Sequence, residues 1–128
     1  MLTRRSLVTA AGLVLASVSA ASAFEFHPYE EGVVKGAIKS GRPVVVHVYA
    51  AWCLQCRAQA SILARLSTDP QLDRVTFFKV DFDDQKDVVA ALNCPRSTLI
   101  GYKGGEEVAR MSWGTSQEDV TKVLQAAY

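Results

Sequence analysis

A chain of 128 residues gives one domain room to bury a core and leaves no room for two. Fourteen basic residues against thirteen acidic ones give a formal net charge of +1. There is no basic block and no stripe of Lys or Arg interleaved with aromatics, which argues against a nucleic-acid partner. The three cysteines are an odd number in a domain that needs no disulfide staples, so they read as chemistry rather than framework.

Residues 1–23 carry Arg4-Arg5, then apolar and small residues from Leu7 to Ala20, then Ala21-Ser22-Ala23. A basic start, a short apolar centre and an A-x-A site read as a secretory signal cleaved after Ala23. The apolar stretch is about a dozen residues, short of the roughly 20 that a spanning helix needs. Thr3-Arg4-Arg5-Ser6-Leu7 resembles a twin-arginine start, and the choice of export route stays open. The mature domain is then residues 24–128, without Arg4 and Arg5, and does not span the membrane.

Tyr29 to Lys39 is compatible with a first helix closed by Gly41. Pro43 to Ala50 is an apolar, β-branched run of strand length, as in a central strand covered on both faces. From Cys53 the period becomes helical, with Ala58, Ile62, Leu63 and Leu66 inward, and Asp69-Pro70 closes that helix. Val75 to Phe82 is a second strong strand. Asp84 to Asn93 follows as a short helix with Val88, Val89 and Leu92 on its apolar face.

Ser97 to Tyr102 and Glu107 to Met111 form a hairpin, with Gly104-Gly105 supplying the positive-φ turn. Ser116 to Asp119 resembles a capping box opening a last helix with Val120, Val123 and Leu124 inward. Strands alternating with helices predict a parallel arrangement, to which the hairpin adds an antiparallel strand. The expectation is one α/β domain, a central mixed β-sheet with helices on both faces.

Cys53-Leu54-Gln55-Cys56 lies where a buried strand turns into a helix. Unpaired N–H groups and the positive end of the helix dipole stabilise a thiolate there. Within one helical turn the spacer brings the two sulfurs together, so Cys53 is expected to attack a disulfide and Cys56 to resolve the mixed disulfide. Rival readings fit less well. A structural zinc site wants four ligands, and only Cys94, His27 and His47 remain, with no paired spacing. A c-type haem attachment needs His where Arg57 stands. A structural disulfide closing so tight a loop stabilises little.

On these residues the chain resembles the thioredoxin family over essentially all of the mature sequence. The resemblance is carried by Val44 to Cys56 with Trp52 directly before Cys53, by Phe78 to Asp81, and by Ser97 to Glu106. The segment Ala50-Ala51-Trp52-Cys53 with Cys56-Arg57 is similar to bacterial periplasmic thioredoxin-like proteins. Those include the C-terminal periplasmic domain of transmembrane disulfide-interchange reductases. The resemblance implies the thioredoxin fold and an exported, periplasmic thiol–disulfide oxidoreductase, reductant rather than oxidant. Its partners would be protein thiols and disulfides and an upstream redox protein. A monomer is expected, with no metal and no cofactor beyond the redox-active disulfide Cys53–Cys56.

Two positions depart from the family pattern. His47 stands where the family has a buried Asp that takes a proton from the resolving thiol. With an ordinary pKa near neutrality it is a candidate proton acceptor, or else a neutral core histidine. Ser97 stands where the family has a cis-proline whose neighbouring backbone pairs with substrate, so Arg96 and Ser97 inherit the substrate-binding place, beside Trp52. A cis bond before a non-proline residue costs about 2.5–4 kcal/mol, so the loop is trans or strained. Losing the proline ring also opens an alternative: a non-enzymatic metal or iron–sulfur carrier on the same scaffold. Cys94 reads as a small buried hydrophobe. Lys79 matches a family lysine beside the buried acid, and Trp52 reads as an apolar lid on the sulfurs.

Overall fold

The computed structural model describes Gly12 and residues 26–128, so the export signal expected over residues 1–23, Gly12 apart, lies outside the described residues. No helix among the described residues is long and apolar enough to cross a membrane. The chain runs β1 (Phe26–Pro28), α1 (Glu31–Lys39), β2 (Val44–Tyr49), α2 (Leu54–Leu66), β3 (Thr76–Asp81), α3 (Lys86–Leu92), β4 (Thr98–Lys103), β5 (Glu106–Ser112) and α4 (Gln117–Ala127). A 3-10 turn over Pro70–Arg74, capped by the Asp69 carboxylate, joins α2 to β3.

The sheet order is β1-β3-β2-β4-β5. β2 is central, and Val44 to Val48 are all buried, as its continuous apolar run requires. Val45 faces a core layer with Ile62 and Leu63 of α2, Phe77, Leu99, and Val120, Val123 and Leu124 of α4. Val44, Val46 and Val48 face a second layer with Val34 of α1, Phe78, Val80 and Ile100, against which Val88, Val89 and Leu92 of α3 pack. Each such side chain contributes about 1.5–3 kcal/mol of burial. The sheet is mixed and has helices on both faces, as the sequence predicts.

Two features differ from the sequence reading. β1 is a three-residue edge strand, parallel to β3, and too short to carry a period. β4 runs antiparallel to β2 as well as to β5, where alternation predicts parallel. The reason is length. A seven-residue α3 spans about 10 Å, half of the roughly 20 Å of a six-residue strand, so the chain enters β4 at the end where it left β3. That places Thr98 beside Val48, and Ser97 at the same end of the sheet as Cys53.

The hairpin turn has both central residues left-handed, Gly104 at φ +63° and Gly105 at φ +86°, as its glycines predict. Gly101 has a different task. A Cβ there would stand 3.2 Å from Val123 O, so its absence lets α4 lie close on β4. The capping box of α4 forms as expected, Ser116 with Asp119.

Candidate active site

The C-terminal end of β2 delivers Ala50 into the core, and a turn closed by Cys53 N–H to Ala50 O at 3.1 Å leads into α2. Cys53 is the N-cap of α2. Its Sγ accepts the Cys56 backbone N–H at 3.2 Å, using one of the donors a helix start leaves free. Cys53 is 2% exposed and Cys56 fully buried, and both are free thiols among Ala50, Tyr49 and Phe82. Cys56 Sγ donates to Val48 O at 3.9 Å.

The two thiols are driven apart. Burial pushes the Cys53 thiol up, but Cys56, whose backbone N–H bonds the sulfur, and the neighbouring Arg96 and Ser97 outweigh it, and the net shift is down. Burial pushes the Cys56 thiol up, and Cys53 adds to that, against smaller contributions from Ala50 and Ser97. One sulfur is prepared as thiolate and the other held as thiol.

Ser97 directly precedes β4, at the end of the sheet where β2 leads into Cys53. The described residues contain no cis peptide, so the bond before Ser97 is trans, and the residue is left-handed at φ +62°. Its N–H donates to Val48 O at 2.9 Å, the oxygen that Cys56 also uses. Its carbonyl accepts from Trp113 N–H at 2.8 Å and from Gln59 Nε2 at 3.0 Å. Both backbone groups of Ser97 are thus bonded inside the domain. What remains is its hydroxyl, buried and with no hydrogen-bond partner at rest.

His47 is 1% exposed, and its Nε2 lies 2.9 Å from Gln59 Oε1. Gln59 Nε2 donates to Ser97 O and to Gly114 O at 2.8 Å, so the amide orientation is set and Oε1 accepts from His47 Nε2–H. Burial pushes the His47 pKa down to about 4; Lys79 pushes the same way, and the Gln59 bond resists. The ring is therefore neutral. A base that weak does not take a proton from a thiol held above its ordinary range, which counts against His47 as the acceptor for Cys56.

Gln59 was missed in the sequence, although it stands in the inward stripe Cys56, Gln59, Ile62, Leu63, where a polar side chain asks for a buried partner. Trp113 was missed as well. It follows β5 in a left-handed conformation at φ +69°, and its ring lies 4.8 Å from the Arg96 guanidinium. The Trp52 ring also lies against the Arg96 guanidinium, at 4.7 Å, and Trp52 donates from Nε1 to Asp83 at 2.8 Å. At 57% exposure Trp52 is a partial lid at most, and Tyr49 and Phe82 pack on the sulfurs. Lys79 Nζ lies over the Tyr49 ring at 5.0 Å. Cys94 packs half-buried on the α1–α3 core layer, and burial pushes its thiol up.

The thioredoxin family model matches residues 26–126. The chain belongs to the thioredoxin family. It is 36% identical over 77 residues to Thioredoxin-2 of Saccharomyces cerevisiae, covering 59% of this chain and 72% of that protein. It is 33% identical over 76 residues to the thioredoxin of Alicyclobacillus acidocaldarius, covering 59% and 71%. The crystal structure of Trxlp from Edwardsiella tarda EIB202 superposes with a TM-score of 0.73 at 37% identity, covering 78% of this chain and 98% of that one. This thioredoxin-family chain has the thioredoxin fold and is a protein-disulfide oxidoreductase with the pair Cys53-x-x-Cys56.

Proposed function

We infer that the protein is an exported thiol–disulfide reductase in which Cys53 is the nucleophile and Cys56 the resolving thiol. The observation that carries this reading is the opposed pair: Cys53 caps α2 with its thiol pushed down, and Cys56 lies buried one turn in with its thiol pushed up. The Cys53 thiolate attacks one sulfur of a substrate disulfide and expels the other as thiolate, which takes a proton from solvent. Cys56 then attacks Cys53 Sγ in the mixed disulfide, and its proton passes to the departing substrate sulfur. Two electrons have moved from the protein dithiol to the substrate, leaving a Cys53–Cys56 disulfide. His47 stays neutral throughout. The Ser97 hydroxyl donates to the Cys53 thiolate when that charge is present.

Turnover then needs an upstream reductant, and a single domain of this kind acts as a monomer. The direction, reductant rather than oxidant, rests on likeness to thioredoxins, and a periplasmic location rests on the Arg4-Arg5 to Ala23 pattern. The metal-carrying alternative gains no support, because no group of three or more His, Cys, Asp or Glu among the described residues is placed to hold an ion.

Insulin reduction and redox equilibrium with glutathione test this reading together. The expected result is insulin reduction that Cys53→Ser abolishes, a trapped mixed disulfide in Cys56→Ser, and a potential nearer the about −270 mV of thioredoxin than the about −120 mV of the strong oxidant DsbA. Activity surviving in Cys53→Ser would overturn the mechanism, and a potential near the second value the direction. In a bacterial host, a periplasmic chain beginning at Phe24 supports export, and an unprocessed cytosolic one counts against it.

A further inference from the structure

Arg96 has no carboxylate partner among the described residues. Its guanidinium carbon lies over two indole rings, 4.7 Å from the centroid of Trp52 and 4.8 Å from that of Trp113. A guanidinium donates its hydrogen bonds in its own plane, and that edge matches a carboxylate fork. Nε is buried and makes no hydrogen bond, and none of the described ion pairs includes Arg96. Asp83 is engaged by Trp52 Nε1 and does not neutralise it.

The surroundings say where a partner must lie. Trp52 is 57% exposed, Leu54 73% and Trp113 42%, all at the rim of a Cys53 that is 2% exposed. Large apolar side chains in water around a nearly covered nucleophile mark a contact surface. A substrate reaches Cys53 only by settling on that rim. Arg96 lies over Trp52, the residue directly before Cys53, and precedes Ser97, whose N–H shares the Val48 carbonyl oxygen with Cys56 Sγ. One residue step along an extended chain is about 3.4 Å, so the neighbours of an attacked cysteine pass the guanidinium edge.

We propose that the Trp52–Arg96–Trp113 stack is a specificity clamp for protein disulfides whose attacked cysteine has an Asp or Glu as its immediate neighbour in sequence. The carboxylate pairs with the free edge of Arg96 while the indoles cover the adjoining peptide. Two rings hold the guanidinium in place beforehand, so little side-chain freedom is lost when the carboxylate arrives. The proposal rests on the thiol–disulfide reading above and adds the class of substrate; the redox step itself is unchanged.

The test uses the reduced full-length protein in single turnover, with no upstream partner. The probes are short peptides, each linked to itself through one cysteine, with Glu, Gln or Lys directly before or after that cysteine. At low salt the Glu peptide is expected to be reduced about five- to tenfold faster than the Gln peptide, and the Lys peptide most slowly. In Arg96→Met all rates fall and the Glu-to-Gln ratio drops to about one. In Arg96→Lys, which keeps charge without the fork, the ratio is intermediate. The wild-type ratio requires no variant to fold.

Equal Glu and Gln rates in the wild type overturn the proposal, as does a ratio that survives in Arg96→Met. Oxidised glutathione is the small-molecule arm. If it outpaces every peptide and loses that advantage in Arg96→Met, the occupant is a small thiol and the assignment to proteins is wrong. Failure to reduce any disulfide, with both thiols titrated as free, would instead sink the redox reading itself.

Discussion

A hydroxyl buried beside two sulfurs and left without a partner costs about 1–3 kcal/mol, unless the working cycle supplies an acceptor. Ser97 is in that position, and in the proposed mechanism the acceptor is the Cys53 thiolate. Ser97→Ala isolates the hydroxyl, because Ser and Ala bear the same left-handed penalty of roughly 1–2 kcal/mol at φ +62°. With the donor gone, the thiolate loses one source of stabilisation. The pH midpoint for alkylation of Cys53 is expected to rise by about half a unit. Because the thiolate belongs to the reduced form, the pair also becomes more reducing, by on the order of 10–30 mV. Stability in urea should be unchanged or slightly higher, since the resting protein sheds an unsatisfied group. An unmoved alkylation midpoint would mean that the hydroxyl plays no part in holding the charge.

At the scale of elements, the start of α2 does structural and chemical work with one atom. Cys53 Sγ caps the helix by accepting Cys56 N–H, so replacing the sulfur tests both roles separately. Cys53→Ser keeps a capping oxygen, and Cys53→Ala removes the cap, at about 1 kcal/mol. Urea denaturation of the reduced proteins should therefore rank Ser above Ala, although neither variant exchanges disulfides. Equal stabilities would show that the sulfur does not act as a cap. Much of this element was legible in sequence: the buried run of β2, the change of period at Cys53, and the stop at Asp69-Pro70. The direction of β4 was not, because it depends on how far a seven-residue α3 reaches relative to a strand. Trp113 was missed because nothing in its neighbours announces a left-handed tryptophan.

The whole molecule is two core layers on either face of one sheet, and His47 is the titratable group set deep in that sheet, on its central strand. Its neighbours were visible only in space. Gln59 comes twelve positions later on α2, and Ser97 and Gly114 lie farther on, so no local pattern joins the four groups. Their arrangement has a consequence for folding. The unfolded chain binds a proton at His47 near its ordinary pKa of 6.5, whereas the folded chain refuses it until about 4. The unfolded state therefore holds more protons between these values, and stability rises with pH across that window. This contribution is fully present above about pH 6.5 and is lost as pH falls through about 4, a total on the order of 3 kcal/mol. Unfolding free energies of the reduced protein from urea titration at pH 7 and pH 4.5 should differ by about 2 kcal/mol from this source. His47→Gln keeps an N–H for the Gln59 carbonyl oxygen and has no proton to gain, so its pH slope should be shallower by that amount, even if its stability at pH 7 is lower. Carboxylates titrating in the same range act on both proteins alike, which makes the difference in slope the quantity to measure. Parallel slopes would show that His47 is not the group through which acid loosens the sheet.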